Sequence, residues 1–203
     1  MTTDEIQVPN HHSHFPGFSG VFGLLAAISM LGRDGDARLV EQLSALRSGD
    51  TVVDVGCGPG TAVRHAARLG ATVTGVDPAR VMLRVARLLT QSKSARYVEG
   101  SAERLPIPDG AASVVWTIAS VHHWSEIDAA LGEIRRVLAP AGRFVAVEKH
   151  TQPGAQGLAG HGWTDRQAEA FAERCRDRGF SEVQVRQHVT GRRQTVSVTA
   201  ANL

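Results

Sequence analysis

Val53-Asp54-Val55-Gly56-Cys57-Gly58-Pro59-Gly60-Thr61 is the stretch that decides the fold. Thr51–Val55 reads as a short apolar strand rich in β-branched residues. Gly56, Gly58 and Gly60, with Pro59 among them, then force a tight turn. Ala62–Leu69 follows with a helical pattern and is stopped by Gly70. The unit is strand, glycine turn, helix. A turn without side chains lets a ligand come close to the backbone. The helix start adds free N–H groups and the positive end of the dipole. Such a turn suits a pyrophosphate or the carboxylate of an amino acid.

The same rhythm continues downstream. Ala71–Val76 is a strand, Ala79–Leu89 a helix, Ala95–Val98 a strand and Ser113–Ile118 a strand entering a buried sheet. Ser125, with Asp128 three residues on, is expected to cap a helix through Leu138. Pro140-Ala141-Gly142 ends that helix, and Arg143–Val147 is the next strand. Strands alternating with helices mean βαβ units and a parallel sheet covered on both faces. The tail breaks the pattern: after a helix over Thr164–Arg178, closed by Gly179, Glu182–Val189 and Gln194–Thr199 alternate as strands. They are joined around Thr190-Gly191-Arg192 as a hairpin, so the last strand is expected to run antiparallel to its neighbours. Upstream, Asp36–Leu46 places Leu39, Val40, Leu43 and Leu46 at helical spacing, and Ser19–Leu31 has helical length.

The expected architecture is α/β: a Rossmann-like, doubly wound, mostly parallel seven-stranded sheet with an antiparallel last strand and N-terminal lid helices. One domain is expected over residues 1–203, with residues 1–48 as lid and residues 49–203 as the sheet core. A chain of 203 residues with 42% hydrophobic and 21% charged residues is long and apolar enough for one proper core. The formal net charge of +2 leaves no footprint for nucleic acid. Val21–Leu31 is too short for a membrane span, so no stable membrane insertion is expected. The opening MTTDEIQ is acidic, unlike a secretory leader, and Cys57 and Cys175 have no metal or disulfide spacing. A cytoplasmic protein, monomeric or homodimeric, is the expectation.

Val73-Thr74-Gly75-Val76-Asp77 is the second strand, and it ends in a carboxylate. In a doubly wound sheet that carboxylate lies beside the glycine turn and can accept two hydrogen bonds from a ribose diol. Its competing role is a helix cap before Pro78. The dinucleotide fingerprint G-x-G-x-x-G/A is not met, because Thr61 stands where the third small residue belongs. No Gly-Lys-Ser/Thr follows either, so a nucleotide P-loop is excluded.

VVDVGCGPGT (residues 52–61) followed by VTGVDPARVML (residues 73–83) resembles the first two motifs of class I S-adenosylmethionine-dependent methyltransferases. Within that class the chain resembles the small-molecule branch of ubiquinone and menaquinone biosynthesis methyltransferases, over roughly residues 45–150. The resemblance implies S-adenosylmethionine as cofactor, S-adenosylhomocysteine as product and a small-molecule acceptor. It places Asp54, Gly56, Cys57, Gly58, Gly60 and Asp77 at the cofactor, with Pro78 and Met82 flanking the adenine. In the third stretch, beginning Val98-Glu99-Gly100-Ser101-Ala102, Ser101 stands where the family commonly has Asp. Its hydroxyl and the Ala102 N–H would meet the adenine, without the charge assistance of a carboxylate. The fourth stretch runs from Ser113 to Trp124 and brings the backbone near Thr117 to the methionine end of the cofactor.

Methyl transfer from a sulfonium needs alignment and a dry pocket more than catalytic groups. A heteroatom acceptor that must lose a proton gains from a base, and histidine is the natural one. His122 and His123 follow the fourth strand and His150 follows the next, all at the carboxyl edge where ligands bind such sheets. His11, His12 and His14 are sequential in an irregular segment, which does not fix a metal site. A lid is expected there instead, with His14, Phe15 and Phe18 facing a lipophilic or aromatic acceptor. The loop His150–Gly162, carrying four glycines, would leave the site open or close over it on binding. Two other readings stay open: an NAD(P)-dependent oxidoreductase on a similar sheet, and a cofactor-binding regulatory module without catalysis.

Overall fold

The computed structural model describes residues 34–155, 160–190 and 193–202. The lid positions His14, Phe15 and Phe18 and the helical stretch Ser19–Leu31 lie outside the described residues. The elements run α1 (Asp34–Leu43), β1 (Thr51–Val55), α2 (Thr61–Arg68), β2 (Thr72–Asp77), α3 (Arg80–Leu89), β3 (Ala95–Glu99), β4 (Ala112–Ile118), a 3-10 turn (Val121–His123), α4 (Ile127–Val137), β5 (Leu138–Lys149), α5 (Asp165–Asp177), β6 (Phe180–Thr190) and β7 (Arg193–Asn202).

The seven strands form one sheet in the order β3-β2-β1-β4-β5-β7-β6. β1 pairs in parallel with β2 on one side and β4 on the other, and β4 pairs in parallel with β5. β7 is antiparallel to both β5 and β6, as the tail hairpin predicts. It lies inside the sheet, so β6 is the edge strand. The chain reverses direction across the sheet between β1 and β4, and their carboxyl ends therefore flank the crevice where ligands bind doubly wound sheets.

Alternation along the strands builds two cores. Val53, Val55, Val115, Phe144 and Ala146 face α4 and α5, with Leu131, Ile134 and Phe171 packed against them. Val52, Val114, Trp116, Val145 and Val147 face the other way, toward Val40 of α1, Val63 of α2 and Leu83 of α3. Strands buried on both faces explain why the sequence reads as near-continuous apolar runs.

Several boundaries differ from the sequence reading, among them the end of α1 at Leu43, short of Leu46, and two differ around α4. Ser125 does not cap α4: Glu126 holds that position, and Ser125 donates from both N and Oγ to Glu103 Oε1 at 2.9 and 3.0 Å. A carboxylate distant in sequence has taken the hydroxyl that a local cap would use. β5 starts at Leu138 rather than Arg143, directly after α4, with a register shift against β4 near Ala112/Val114 and a left-handed Ala141 (φ 59°). By contrast, the capping box at α5 is complete, with Thr164 and Gln167 exchanging side-chain and backbone bonds.

Candidate functional site

The turn after β1 is held by the strand beside it. The N–H groups of Gly56 and Cys57 both donate to Val76 O, at 2.8 and 3.0 Å. Gly58 N–H donates to Asp77 Oδ2 at 2.8 Å. Gly56 and Gly60 are both left-handed, with φ of 74° and 78°. A Cβ on Gly56 would collide with Ser120 Oγ, and one on Gly60 with the Tyr97 ring. These glycines are thus required by the protein's own packing as well as by a ligand's approach. The turns after β1 and β4 touch at Gly56 and Ser120. We expect Gly56→Ala to destabilise the fold by about 2 kcal/mol or more, from left-handed strain plus overpacking, measured by urea denaturation.

Gly60 is also the N-cap of α2 and supplies no side-chain cap, leaving the first-turn amides to another partner. Below and beside this helix start lie two carboxylates. Asp54, on the face shared with Trp116 and Cys57, is 2% exposed. Burial pushes its carboxyl up to about 7, with nearby Asp77 adding to the rise. The Trp116 indole, paired with Asp54 across β1 and β4, offsets part of that, although its Nε1 closes no hydrogen bond of good geometry. Asp77 is 8% exposed at the end of β2. Burial raises its carboxyl too, and the N–H groups of Ala79 and Gly58 partly restore it, each at 2.8 Å to a different oxygen. The N-cap of α3 is Ala79, so Asp77 is not that helix's cap; it braces the turn and keeps a lone pair on each oxygen. Neither carboxylate makes an ion pair with any described residue. Buried charges in proteins are ordinarily paired, so two acids together without a cation define a place for one.

The other expected cofactor positions divide. Cys57 is buried, its thiol pushed up by burial and by Asp54 and Asp77, so it is an inert wall rather than a nucleophile. Pro78 follows Asp77 at the exposed rim. Ser101 forms an isolated bridge with Arg104, and Ala102 is buried against Val76 and Leu105 in one core. Met82 is 2% exposed on the inward side of α3, yet it belongs to neither of the two cores, unlike Leu83 and Ala86 beside it. Thr117 is fully buried, and its Oγ1 has no hydrogen-bond partner.

The histidines lie on the β4–β5 half. His122 is 5% exposed on the 3-10 turn after β4, and its Nδ1 is 2.9 Å from Glu148 Oε2. Glu148, near the end of β5, is 1% exposed and accepts Val121 N–H on Oε1 at 2.8 Å. The rings of His122 and His123 stack obliquely 4.0 Å apart, and His161 lies 5.5 Å from His122. His161 arrives from the glycine loop, whose described ends are stitched by Thr151 N–H to Trp163 O and Trp163 N–H to Lys149 O. His150 is turned elsewhere: its Nε2 is 3.0 Å from Asp165 Oδ1, which also accepts from Gln187. The structure thus joins His122, His123 and His161 and leaves His150 at the start of α5. Glu148, which strand alternation two residues before His150 marks as a possible buried partner, is indeed buried, but its partner is His122; His161 carries no local signal that separates it from any loop residue. Among the described residues no group of three His, Cys, Asp or Glu could hold a metal, and no helix is long and apolar enough to cross a membrane.

Residues 53–146 match the family described as "Methyltransferase domain". The demethylmenaquinone methyltransferase of Thermus thermophilus is 41% identical over 92 residues, 44% of this chain and 42% of that protein. The 27-O-demethylrifamycin SV methyltransferase of Amycolatopsis mediterranei is 32% identical over 160 residues, 75% of this chain and 55% of that one. The chain spans about half the length of the curated relatives it matches. The fold is that of a S-adenosylmethionine-dependent methyltransferase from Aquifex aeolicus, with a TM-score of 0.74 at 19% identity, covering 88% of this chain and 98% of that one.

Proposed function

We propose that this protein binds S-adenosylmethionine at the glycine turn and transfers its methyl group to a small, lipophilic or aromatic acceptor held at the carboxyl ends of β4 and β5. The observation that carries the cofactor is the pair Asp54 and Asp77, buried together with no ion-pair partner among the described residues. S-adenosylmethionine brings an ammonium and a sulfonium to such a place. A dinucleotide would bring a pyrophosphate of the same sign as the two carboxylates, which opposes the NAD(P)-dependent reading.

The residues fit the cofactor by division of labour. Asp77 keeps a lone pair on each oxygen for the ribose diol. Asp54 supplies the charge that the amino-acid end needs, and the turn from Gly56 through Gly60 holds the backbone beside it. Ser101 and Ala102, after β3, lie on the adenine side, and Thr117 at the end of β4 lies on the methionine side. When bound, the group supplies an electrophilic methyl carbon with an activated leaving group; the protein orients it and excludes water. The acceptor class rests on the relatives named for demethylmenaquinone and demethylrifamycin and on the expected lid of His14, Phe15 and Phe18.

The test is incubation with S-adenosylmethionine and a panel of quinones, phenols and polar metabolites, reading methylated product by mass. Methylation confined to the lipophilic aromatic members is the expected result. Binding of cofactor with no methylated product from any member would favour the non-catalytic module instead.

A further inference from the structure

The buried pair His122–Glu148 goes beyond holding a turn. Glu148 meets Val121 N–H with one oxygen and His122 Nδ1 with the other, so both of its oxygens hold this turn. With Nδ1–H donating to the carboxylate, the imidazole is held in the tautomer whose lone pair is on Nε2. Nε2 has no hydrogen-bond partner among the described residues. The turn itself sits against the glycine turn, because Ser120, two residues before His122, occupies the space a Cβ on Gly56 would need. The dyad lies on β5 and the turn after β4, whereas Asp54 and Asp77 lie on β1 and β2 and Ser101 follows β3. The dyad is therefore on the half of the crevice left to the acceptor.

Resting on the reading above, we infer that the acceptor is a hydroxyl group, that Nε2 of His122 takes its proton, and that Glu148 is the positioning residue for that imidazole. A neutral amine attacks with its own lone pair, and a thiol ionises readily near neutrality, but an alcohol or phenol is a poor nucleophile until its proton is leaving. The step balances simply. The hydroxyl oxygen bonds to the methyl carbon as its proton passes to Nε2. The carbon–sulfur bond breaks, its electron pair stays on sulfur, and a neutral thioether leaves. The imidazolium, stabilised by the Glu148 carboxylate, returns the proton to solvent. His123 and His161 pack on the His122 ring, with ring centroids 4.0 and 5.5 Å away.

Two measurements test this. Nitrogen-15 spectra of the protein saturated with S-adenosylhomocysteine should show His122 protonated on Nδ1 and bare on Nε2, and Glu148→Gln should disturb that tautomer. Methyl transfer to matched phenols, anilines and thiophenols should favour the phenols. With a phenol, Glu148→Gln should lower kcat by about a hundredfold or more, with KM and S-adenosylhomocysteine affinity changed less than twofold. His122→Gln, which keeps the carboxylate, should lose kcat to the same degree and guards against a folding defect in the first variant. A proton on Nε2 in the wild type, turnover of anilines or thiophenols in preference to phenols, no turnover of any panel member, or an unchanged kcat in both variants would overturn the inference. Loss of S-adenosylhomocysteine binding by the wild type would instead overturn the cofactor reading beneath it.

Discussion

An Asp54→Asn protein should melt at a higher temperature than the wild type at pH 8 and yet bind S-adenosylhomocysteine more weakly. The carboxyl of Asp54 goes from 3.8 in an unfolded chain to about 7 in the fold, because burial removes water from its charged form. Between those values the folded chain holds a proton that the unfolded chain has lost. Stability contributed at this site therefore falls as pH rises through the window and levels off above about 7. The gap corresponds to on the order of 4 kcal/mol of strain in the ionised, ligand-free protein. Asparagine has the same shape and no charge, so it escapes that penalty. The advantage of the variant should largely disappear near pH 4, close to the unfolded carboxyl's 3.8, where the folded and unfolded chains differ little in bound protons. Thermal melts at pH 4, 6 and 8 check this; an equal or lower melting temperature for the variant at pH 8 would contradict it. Binding moves the other way because the charge that destabilises the empty fold is the one a ligand ammonium neutralises. Binding should accordingly release a proton near pH 6–7, seen as a dependence of calorimetric heat on the buffer's ionisation enthalpy.

Asp77→Ala should have the second large effect, a loss of roughly 1–3 kcal/mol of S-adenosylhomocysteine affinity from two charge-assisted hydrogen bonds to the ribose. The same carboxylate braces the glycine turn through Gly58 N–H and Ala79 N–H, so alanine also frees two backbone donors. Asp77→Asn separates the two roles. One asparagine oxygen can still accept from the turn, while its NH2 end cannot accept from a hydroxyl. Asparagine should keep most of the melting temperature and lose most of the affinity. Full affinity in Asp77→Asn would remove Asp77 from the ribose.

The elements of the proposed cofactor site were legible because their signals are local. A β-branched strand, glycines at alternate positions and a following helix specify the turn wherever they occur, and Asp77 at the end of the next strand falls beside it by topology alone. Features that depend on a distant partner were not legible. Ser125 looks like a cap until Glu103 takes its hydroxyl. Met82 has the spacing of a core residue and of a ring contact alike, and its burial on α3 is compatible with both. His150 sits at the right edge of the sheet, but Asp165 draws it away. His122 and Glu148 are 26 residues apart, joined by the pairing of β4 with β5. That no described residue pairs a cation with Asp54 is a property of the folded neighbourhood that no window of sequence contains.

The central claim is that the two carboxylates without a cation are the seat of a cationic nucleoside. Calorimetry of the wild-type protein with S-adenosylhomocysteine, S-adenosylmethionine, NAD and NADH at pH 7.5 tests it most directly. Both adenosyl ligands should bind at one site, and Asp54→Asn should weaken both, while neither dinucleotide gives heat. Saturable binding of NAD or NADH with no heat from either adenosyl ligand would contradict the account.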